Sequence, residues 1–429
     1  MIKSKSFIVL MLVLALFISI NFYFLYLSNQ SNAYVNEVII NNGDASHYYK
    51  IAQNIFDHFL YTDDDSVIAT QSATWRPPFW PFLLSLFFYI TTIPVKVVLI
   101  KMVVELLAIA TVLYFICKKL KLKALYFIPF LLLLIEPQRL KYSVTFLSES
   151  ITAVLILIFS VLFVTNNDSK KPLFFLTILA VLIVLCHPIT LFFVVILYGI
   201  YMLSFLKSNL KIAILHSLVF VFLMGLWPYR NFKTFNTNFY LTASQGATFA
   251  KGWNEKVATQ FTNVDGDLAD ESMNLKFLSV LPISQDLTFL ERSELYKKAT
   301  YSFIKTLNSK QIIQIVFKKI KSNFNPFPEK PKPTFIDTLG IFFRCLYAFV
   351  FLQFIFRIFK RKFQIHFIKD RVFMVVFAIF LGQIIMSSFF YTGLRFNAVY
   401  GATLLFSFIF LNSKVVIDFI LLKFFKYQL

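Results

Sequence analysis

Charge and cysteine are scarce in this sequence, and the short motifs of several soluble enzyme classes are absent. Only 15% of the 429 residues are charged. The three cysteines lie within apolar segments and lack metal-ligand spacing, so we expect neither a disulfide framework nor a zinc site. The sequence contains no HExxH, Walker or GxGxxG motif. These absences remove the sequence signs of a zinc protease, a P-loop nucleotide hydrolase and a Rossmann-type dehydrogenase.

Long apolar blocks are what the sequence has in abundance. Hydrophobic residues make up 58% of the chain, and 56 residues are phenylalanine. The blocks run nearly from end to end, which is typical of bilayer spans and predicts an all-α polytopic membrane protein with about ten or eleven transmembrane helices. The expected spans are 7–27, 94–117, 124–141, 145–165, 172–187, 189–206, 212–228, 337–356, 372–391 and 396–412.

The first span has an alternative interpretation as a cleaved signal peptide, with a weak cleavage site at Ser31-Asn32-Ala33. Its apolar run of about 20 residues is longer than the core of a usual signal peptide and long enough to cross a bilayer. We therefore expect residues 7–27 to be a retained signal anchor.

The basic residues give the chain a net charge of +20, but they lie in short clusters between the apolar blocks. A nucleic-acid-binding protein gathers such charge on a polar domain, so we expect no nucleic-acid partner. The positive-inside rule instead puts these clusters and the N-terminus in the cytoplasm. It puts the acid-rich first loop, 28–93, and the long polar segment 229–336 outside.

Four stretches complete the expected organisation. Residues 79–90 are apolar but short, and a span there would move the next basic cluster outside, so we expect them to lie in the interface or to re-enter. The tail, 413–429, is left open between an interfacial helix and a final span. Hydrophobic spacing predicts an amphipathic helix over 46–60 and helical stretches within 291–323. The expected domains are an N-terminal transmembrane module (1–228), an outer region (229–336) and C-terminal transmembrane helices (337–429).

The first outer loop carries a recognisable series of motifs. The sequence GDASHYYKIAQN occupies 43–54, and TWRPPFWP follows at 74–81. Further segments are Ser148-Glu149-Ser150, His187-Pro188, Trp227-Pro228-Tyr229-Arg230-Asn231, Ser244-Gln245-Gly246, Lys251-Gly252 and Leu394-Arg395-Phe396. In number, order and spacing this series resembles the GT-C glycosyltransferases, specifically the protein-mannosyltransferase-like branch (glycosyltransferase family 39), over most of residues 1–410. His187 departs from the arginine common in the family, and Trp227-Pro228 reverses its usual order.

The resemblance implies a fold, a reaction and a catalytic base. The fold is the GT-C fold with juxtamembrane helices in the first outer loop. The reaction moves a sugar from a polyprenyl-phosphate donor to an acceptor hydroxyl on the outer face, with inversion at the anomeric carbon. The family's first-loop acid accepts the hydroxyl proton, a role that falls on Asp44. The alternative is a solvated aspartate that caps the 46–60 helix. The sequence identifies neither the sugar nor the acceptor.

Cationic side chains are the candidates for binding the donor phosphate, because charge develops on this group as it leaves. The substrate-binding candidates with positive charge are Arg76, Lys101, Arg230, Lys251 and Arg395. Snorkelling at a span end is the alternative for Arg230 and Arg395. For Lys101, the alternative to a polar cavity is a self-neutralising i,i+4 pair with Glu105.

Glu149 is the remaining substrate-binding candidate, with hydrogen bonding, metal coordination or assistance to Asp44 as its possible roles. The alternative is favourable helix N-terminal electrostatics. Some GT-C enzymes use a divalent metal and others do not. Asp44 and His47 form only a pair at i,i+3, so no metal ligand is assigned and the cofactor stays open. For Trp253, the interfacial aromatic belt and stacking on an acceptor sugar are both open.

Two other function classes fit the spans. A transporter or flippase for a lipid-linked saccharide explains a buried Lys101 but not the acidic first loop, and the paired halves typical of transporters are missing. An O-antigen-type polymerase or ligase also has many spans, but its chemistry tends to lie in the large loop. Richness in lysine, asparagine, isoleucine and phenylalanine suggests an AT-rich bacterial genome, and hence the cytoplasmic (inner) membrane.

Overall fold

The computed structural model describes residues 39–40, 44–65, 68–120, 132–134, 136–165, 170–206, 209–237, 240–254, 257, 287–324, 335–359, 368–391 and 393–424. These residues form helices and connecting segments, and none of them lies in a β-strand. The predicted span 7–27 lies outside the described residues.

Helices account for most of the described chain, with single 3-10 turns at Ala73–Trp75 and Pro188–Thr190. The helices are α1 (Asp44–His58), α2 (Phe79–Phe88), α3 (Pro94–Leu120), α4 (Pro137–Ser143), α5 (Glu149–Thr165), α6 (Lys170–Cys186), α7 (Leu191–Leu206), α8 (Leu210–Phe235), α9 (Gln245–Gly252), α10 (Phe289–Thr306), α11 (Ser309–Phe324), α12 (Phe335–Phe359), α13 (Ile368–Phe389) and α14 (Leu394–Phe424).

Within the part of the chain that the structure describes, three helices are long and apolar enough to cross a membrane: α3, α8 and α13. The rest of the protein buries these helices to different extents. In the most apolar stretch, 11% of α8 is buried, against 56% of α3 and 61% of α13. Apolar side chains such as Leu218 and Phe222 are exposed along α8. A soluble protein rarely exposes so long an apolar face, so this face suits contact with lipid. The described part of the chain therefore fits an all-α membrane protein.

Six further apolar helices are shorter than a usual span, within the residues that the structure describes. They are Phe79–Phe88, Glu149–Thr165, Leu173–Cys186, Pro188–Leu203, Gly340–Phe356 and Phe396–Asn412. Among them α5 is the central helix, because it is buried along most of its length and contacts α3, α4, α6, α13 and α14. The main hydrophobic core lies around it.

The first loop docks on this helical body through a second apolar cluster. On α1, the residues Ala45, Tyr48, Ile51, Ala52 and Ile55 are buried at helical spacing, as expected for an amphipathic helix. The helix packs on α2. The α2 indole Trp80 is fully buried and donates to the carbonyl of Phe146 at 2.6 Å. The amphipathic helix predicted near 46–60 is confirmed as a helix of 15 residues. The apolar segment 79–90 contains a helix of 10 residues, which is shorter than a usual span.

Several predicted boundaries need correction. The expected span over 124–141 is not one helix, because 132–134 form a 3-10 turn and Pro137 begins the seven-residue α4. Proline lacks a backbone N–H, and the Glu136 carboxylate caps the new helix through the amides of Gln138 and Arg139. The next span starts at Glu149 rather than at 145.

Two helices extend further than expected. The helix predicted to end at 228 runs to Phe235 with Pro228 inside it. Helix α14 continues without a break through 413–424, in the tail whose form the sequence left open. The helical stretches expected within 291–323 are confirmed as α10 and α11. A break at Leu307 and Asn308 separates the two helices.

Candidate active site

A cavity of about 350 Å³ lies where six parts of the chain meet. These parts are the start of α1, the 75–77 segment, the start of α5, the segment from 187 to 192, the chain from 241 to 251 and the α13–α14 junction. Four predicted site residues line it: Asp44, Arg76, Glu149 and Lys251. Most of the remaining lining is aromatic, apolar or hydroxyl-bearing, including Tyr48, Trp75, Ser148, Phe192, Thr242, Phe390, Tyr391 and Phe396.

Asp44 and Arg76 form an ion pair in the cavity wall. The Arg76 Nη2 atom lies 2.5 Å from Asp44 Oδ1, and the two side chains are 14% and 28% exposed. The guanidinium also lies over the Tyr48 ring, 5.3 Å from its centroid. Asp44 occupies the first turn of α1, where the helix N-terminus favours a negative charge. The capping role considered for Asp44 and its position in the cavity are therefore compatible.

Hydrogen bonds from other parts of the chain hold the backbone around Arg76. The Tyr61 hydroxyl donates to the carbonyls of Arg76 at 2.9 Å and Pro77 at 3.3 Å. Thr74 contributes a contact to the Tyr240 hydroxyl at 3.1 Å and a backbone bond from the amide of Ala243 at 3.0 Å. These bonds fix the 74–77 segment against the chain that lines the opposite side.

Glu149 and Ser148 enter the cavity from the start of α5. Glu149 is 2% exposed, and Ser148 contacts the Tyr48 hydroxyl at 3.3 Å. This contact links the first turn of α5 to the helix that carries Asp44. The site therefore combines two acids and two cations from four separate segments of the chain.

Lys101 does not line the cavity, contrary to the polar-cavity interpretation. Its ammonium is fully buried and donates to the carbonyls of Tyr142, Thr145 and Leu147 at 3.0, 2.7 and 2.8 Å. Glu105 lies 3.9 Å away. An ammonium with three carbonyl acceptors has no donor left for a ligand. Lys101 therefore holds the loop that leads to Ser148 and Glu149.

Arg230 is also absent from the cavity lining. Its guanidinium lies over the rings of Trp227, Tyr61 and Phe235 at 5.1, 5.7 and 5.5 Å, and it donates to the Asn231 side chain at 3.1 Å. Because Tyr61 holds the Arg76 carbonyl, Arg230 supports the cavity wall from outside. Arg395 lies in the first turn of α14, and its side chain lies outside the described part of the structure. Its neighbour Phe396 lines the cavity.

The wall opposite Asp44 is built around a lysine that the sequence did not single out. Lys319 of α11 is fully buried and donates to the carbonyls of Ser388 and Phe390 at 3.3 and 3.1 Å. Burial lowers the pKa of Lys319 well below its usual value. Its ammonium lies 4.1 Å from the ring centroid of Trp253, whose indole donates to the Phe389 carbonyl at 3.0 Å.

This arrangement assigns Trp253 a structural role in place of sugar stacking, because the residue is 6% exposed and does not line the cavity. Gly252 is required beside it, since a Cβ there would lie 2.4 Å from the Phe390 backbone. Lys251, one residue earlier, lies over Tyr391 at 5.7 Å and faces the cavity. The available sequence signal for Lys319 was its place on the apolar stripe of α11, in line with Ile312 and Ile315.

His47 and His187 have different positions. His187 lines the cavity and meets the Phe396 ring edge-on at 6.2 Å. His47 lies outside it, and its Nε2 atom is 3.4 Å from Asp63 Oδ2. Burial, and next the charge of Arg76, lower the pKa of His47 despite that carboxylate. Among the described residues, no group of three or more His, Cys, Asp or Glu side chains could hold a metal ion.

No family model, curated protein or solved structure matches this chain. The resemblance to GT-C glycosyltransferases therefore depends on the quoted motifs alone. Those motifs are far apart in the sequence, and most of them meet in the cavity: Asp44, Arg76, Ser148-Glu149, His187-Pro188, Ser244-Gln245, Lys251 and Phe396.

Proposed function

We propose that this chain is a GT-C-type glycosyltransferase that moves a sugar from a polyprenyl-phosphate donor to an acceptor hydroxyl on the outer face of a bacterial cytoplasmic membrane. The proposal includes ten or eleven transmembrane helices, a cytoplasmic N-terminus and an outward-facing cavity. The observation that carries it is the Asp44–Arg76 ion pair in the wall of a cavity that Glu149 and Lys251 also line.

The chemistry assigns each charge a task. The acceptor oxygen forms a bond to the anomeric carbon as the bond from that carbon to the phosphate oxygen breaks, and the polyprenyl phosphate leaves with the electron pair. The Asp44 carboxylate accepts the proton of the attacking hydroxyl, a contribution of about 10²–10⁴-fold in rate. Arg76 and Lys251 stabilise the charge that develops on the leaving phosphate.

The ion pair suits a group that changes partner during the reaction. Before the donor binds, Arg76 neutralises Asp44 and keeps both charges in a part-buried wall. When the phosphate arrives, the guanidinium gains a second anion, and the carboxylate becomes available to the acceptor hydroxyl. Glu149 fits a hydrogen-bonding role towards sugar hydroxyls, since carboxylates accept such bonds well.

The lining also suits the lipid end of such a donor. Phe192, Met386, Phe390 and Phe396 give one side of the cavity an apolar surface. Isoprenoid carbons next to the phosphate would be buried against this apolar surface.

The experiment replaces Asp44 with asparagine and follows the product in cells. A strain that lacks this gene is complemented with wild type, Asp44→Asn or Asp57→Asn, and surface glycans and glycoproteins are compared by mass spectrometry. Asp57 is a matched control, because it is an exposed aspartate on the same helix and does not line the cavity. We expect wild type and Asp57→Asn to restore the missing sugar and Asp44→Asn to fail, at equal membrane levels of protein.

Full restoration by Asp44→Asn would end the assignment of the base. Proteoliposomes with labelled lipid-linked sugar separate the transporter alternative. Counterflow of intact donor without cleavage would replace the proposal, whereas release of polyprenyl phosphate that depends on Asp44 supports it.

A further inference from the structure

A second, larger cleft lies beside the cavity. Its volume is about 810 Å³, within the range of ligand-binding pockets. The two spaces share the side chains of Thr242 and Gln245. The cleft continues from there between the end of α8 and one face of α10, so a molecule in it could extend to the cavity that contains Asp44.

The cleft differs from the cavity in the chemistry of its lining. Its charged residues are Glu291, Glu294, Lys297 and Lys298, two of each sign. Lys297 neutralises Glu294 at 2.6 Å, and Glu291 is part of the capping box at the start of α10. The other polar lining residues carry amides or hydroxyls: Asn236, Thr237, Tyr240, Thr242, Gln245 and Ser293. A lining without net charge gives no advantage to a phosphate, a nucleotide or an acidic peptide.

One lining atom lacks a partner. The Thr237 hydroxyl oxygen is buried and makes no hydrogen bond within the described part of the chain. A buried polar atom without a partner costs free energy, which a ligand hydroxyl can recover. Phe232 and Tyr240 add aromatic surface to the same cleft, and such rings pack against the C–H face of a sugar.

The cleft is preformed rather than created by a ligand. The amide of Gly246 donates to Ser293 Oγ at 2.9 Å, which joins α9 to α10. A Cβ at Gly246 would lie 1.8 Å from the Ser293 carbonyl oxygen, so only glycine permits this approach. The amide of Leu290 donates to the Gln71 side chain at 3.2 Å. These bonds fix α10 relative to both the first loop and the segment that carries Gln245.

We propose that the cleft binds a neutral saccharide and that this saccharide is the acceptor of the transfer reaction. The inference builds on the proposed function and specifies its acceptor class. Amide, hydroxyl and carboxylate groups recognise sugar hydroxyls in pairs, and the shared residues Thr242 and Gln245 guide the acceptor hydroxyl towards Asp44. An acceptor with a net negative charge, such as an acidic peptide or an anionic lipid headgroup, meets a lining whose positive and negative charges balance.

Binding of neutral tetrasaccharides to the full chain in nanodiscs tests the proposal. Mannotetraose and cellotetraose are the probes, with an acidic tetrapeptide and a short-chain phosphatidic acid as comparisons, and saturation-transfer NMR and titration give the affinities. Thr237→Val and Glu294→Ala remove one hydrogen-bonding group each, and Thr306→Val on the far end of α10 is the matched control. We expect at least one tetrasaccharide to bind, with affinity about fivefold lower in each cleft variant and unchanged in the control.

Three results would overturn the proposal: no binding of either tetrasaccharide, tetrasaccharide affinity that neither cleft variant lowers, or preferential binding of the peptide or the phosphatidic acid. Donor cleavage that depends on Asp44, measured in the same preparation, keeps this outcome separate from the proposed function. If cleavage persists while saccharide binding is absent, only the acceptor assignment fails.

Discussion

Two groups of charged side chains lie on opposite sides of the loop that leads into α5, and they solve the problem of charge in an apolar body differently. The first is a sealed cluster of Lys101, Glu105 and Arg139, each no more than 1% exposed. The second is the rim pair, Asp44 and Arg76, which opens onto the cavity. Both contain an acid and a cation, but only the rim pair lines the cavity.

The charged groups of the sealed cluster are paired or hydrogen-bonded within the protein, although the buried Arg139 Nε atom makes no hydrogen bond to the described residues. Glu105 accepts from Arg139 Nη1 at 3.1 Å and from the Ser150 hydroxyl at 2.6 Å. Arg139 also donates to the Leu134 carbonyl at 2.7 Å, while Lys101 is occupied by three carbonyls. A buried charge is retained only when it is paired and hydrogen-bonded in this way. Such a group holds helices together and cannot serve a ligand without leaving a partner unpaired.

The largest expected effect comes from breaking the sealed cluster. Arg139→Met leaves the Glu105 carboxylate without its closest cation, and removal of one partner of a buried pair costs about 3–5 kcal/mol. Thermal unfolding in detergent, followed by tryptophan fluorescence, should show a large drop in midpoint. The expression level of folded protein should fall with it.

A double variant separates a lost contact from an unpaired charge. Arg139→Met with Glu105→Leu removes both members of the pair, and replacement of a buried ion pair by apolar groups is often close to neutral. We expect the double variant to regain part of the stability, because Lys101 keeps its three carbonyl acceptors but loses the Glu105 carboxylate. If the single and double variants are equally unstable, the loss comes from packing, and the account of the cluster as a buried ion pair is wrong.

The difference between these two groups shows which contacts can be predicted from the sequence and which cannot. The acid at the start of an amphipathic helix and the arginine before two prolines were assigned to one reaction, and the structure brings them together as an ion pair. Lys101 and Arg230 were expected to bind substrate on the same grounds of charge and depth. Their actual partners are backbone carbonyls and aromatic rings from distant segments, and no local pattern specifies those contacts.

The fold shows the same division between local and distant information. Apolar blocks predicted most helices, and the α1 face follows directly from the spacing of Tyr48, Ile51 and Ile55. The break before Pro137 was missed because an apolar run masks a proline that begins a helix. Lys319 was missed because a lysine on an amphipathic helix ordinarily extends its ammonium to water. Its acceptors, the carbonyls of 388 and 390, come from a helix about 70 residues away in sequence.

A variant of the rim pair should have an effect of intermediate size, on sugar transfer rather than on stability. Arg76→Met breaks a part-exposed pair, so the loss of stability should stay near 1 kcal/mol or below. Sugar transfer in the complementation assay should nevertheless fall at least tenfold, because the leaving phosphate loses its cation. Lys50→Met is the matched control: it breaks the exposed Lys50–Asp65 pair on the same loop and should change neither quantity. Equal losses of stability in Arg76→Met and Arg139→Met would erase the distinction between rim and sealed charges.

The smallest expected effect is a pH dependence of stability at the edge of the rim pair. His47 faces Arg76 and Lys50 as cations, and Asp63 and Asp44 as anions, and its net pKa is lowered mainly by burial. The unfolded chain therefore takes up a proton on this histidine first, so the contribution to stability is present above a pH of about 6.5 and is lost as the pH falls below it. His47→Gln should match wild type at pH 8 and lose less stability between pH 7 and pH 5, measured as the unfolding midpoint at each pH. A steeper loss in His47→Gln would mean that the Asp63 contact outweighs burial, and that protonated His47 stabilises the loop beside Asp44.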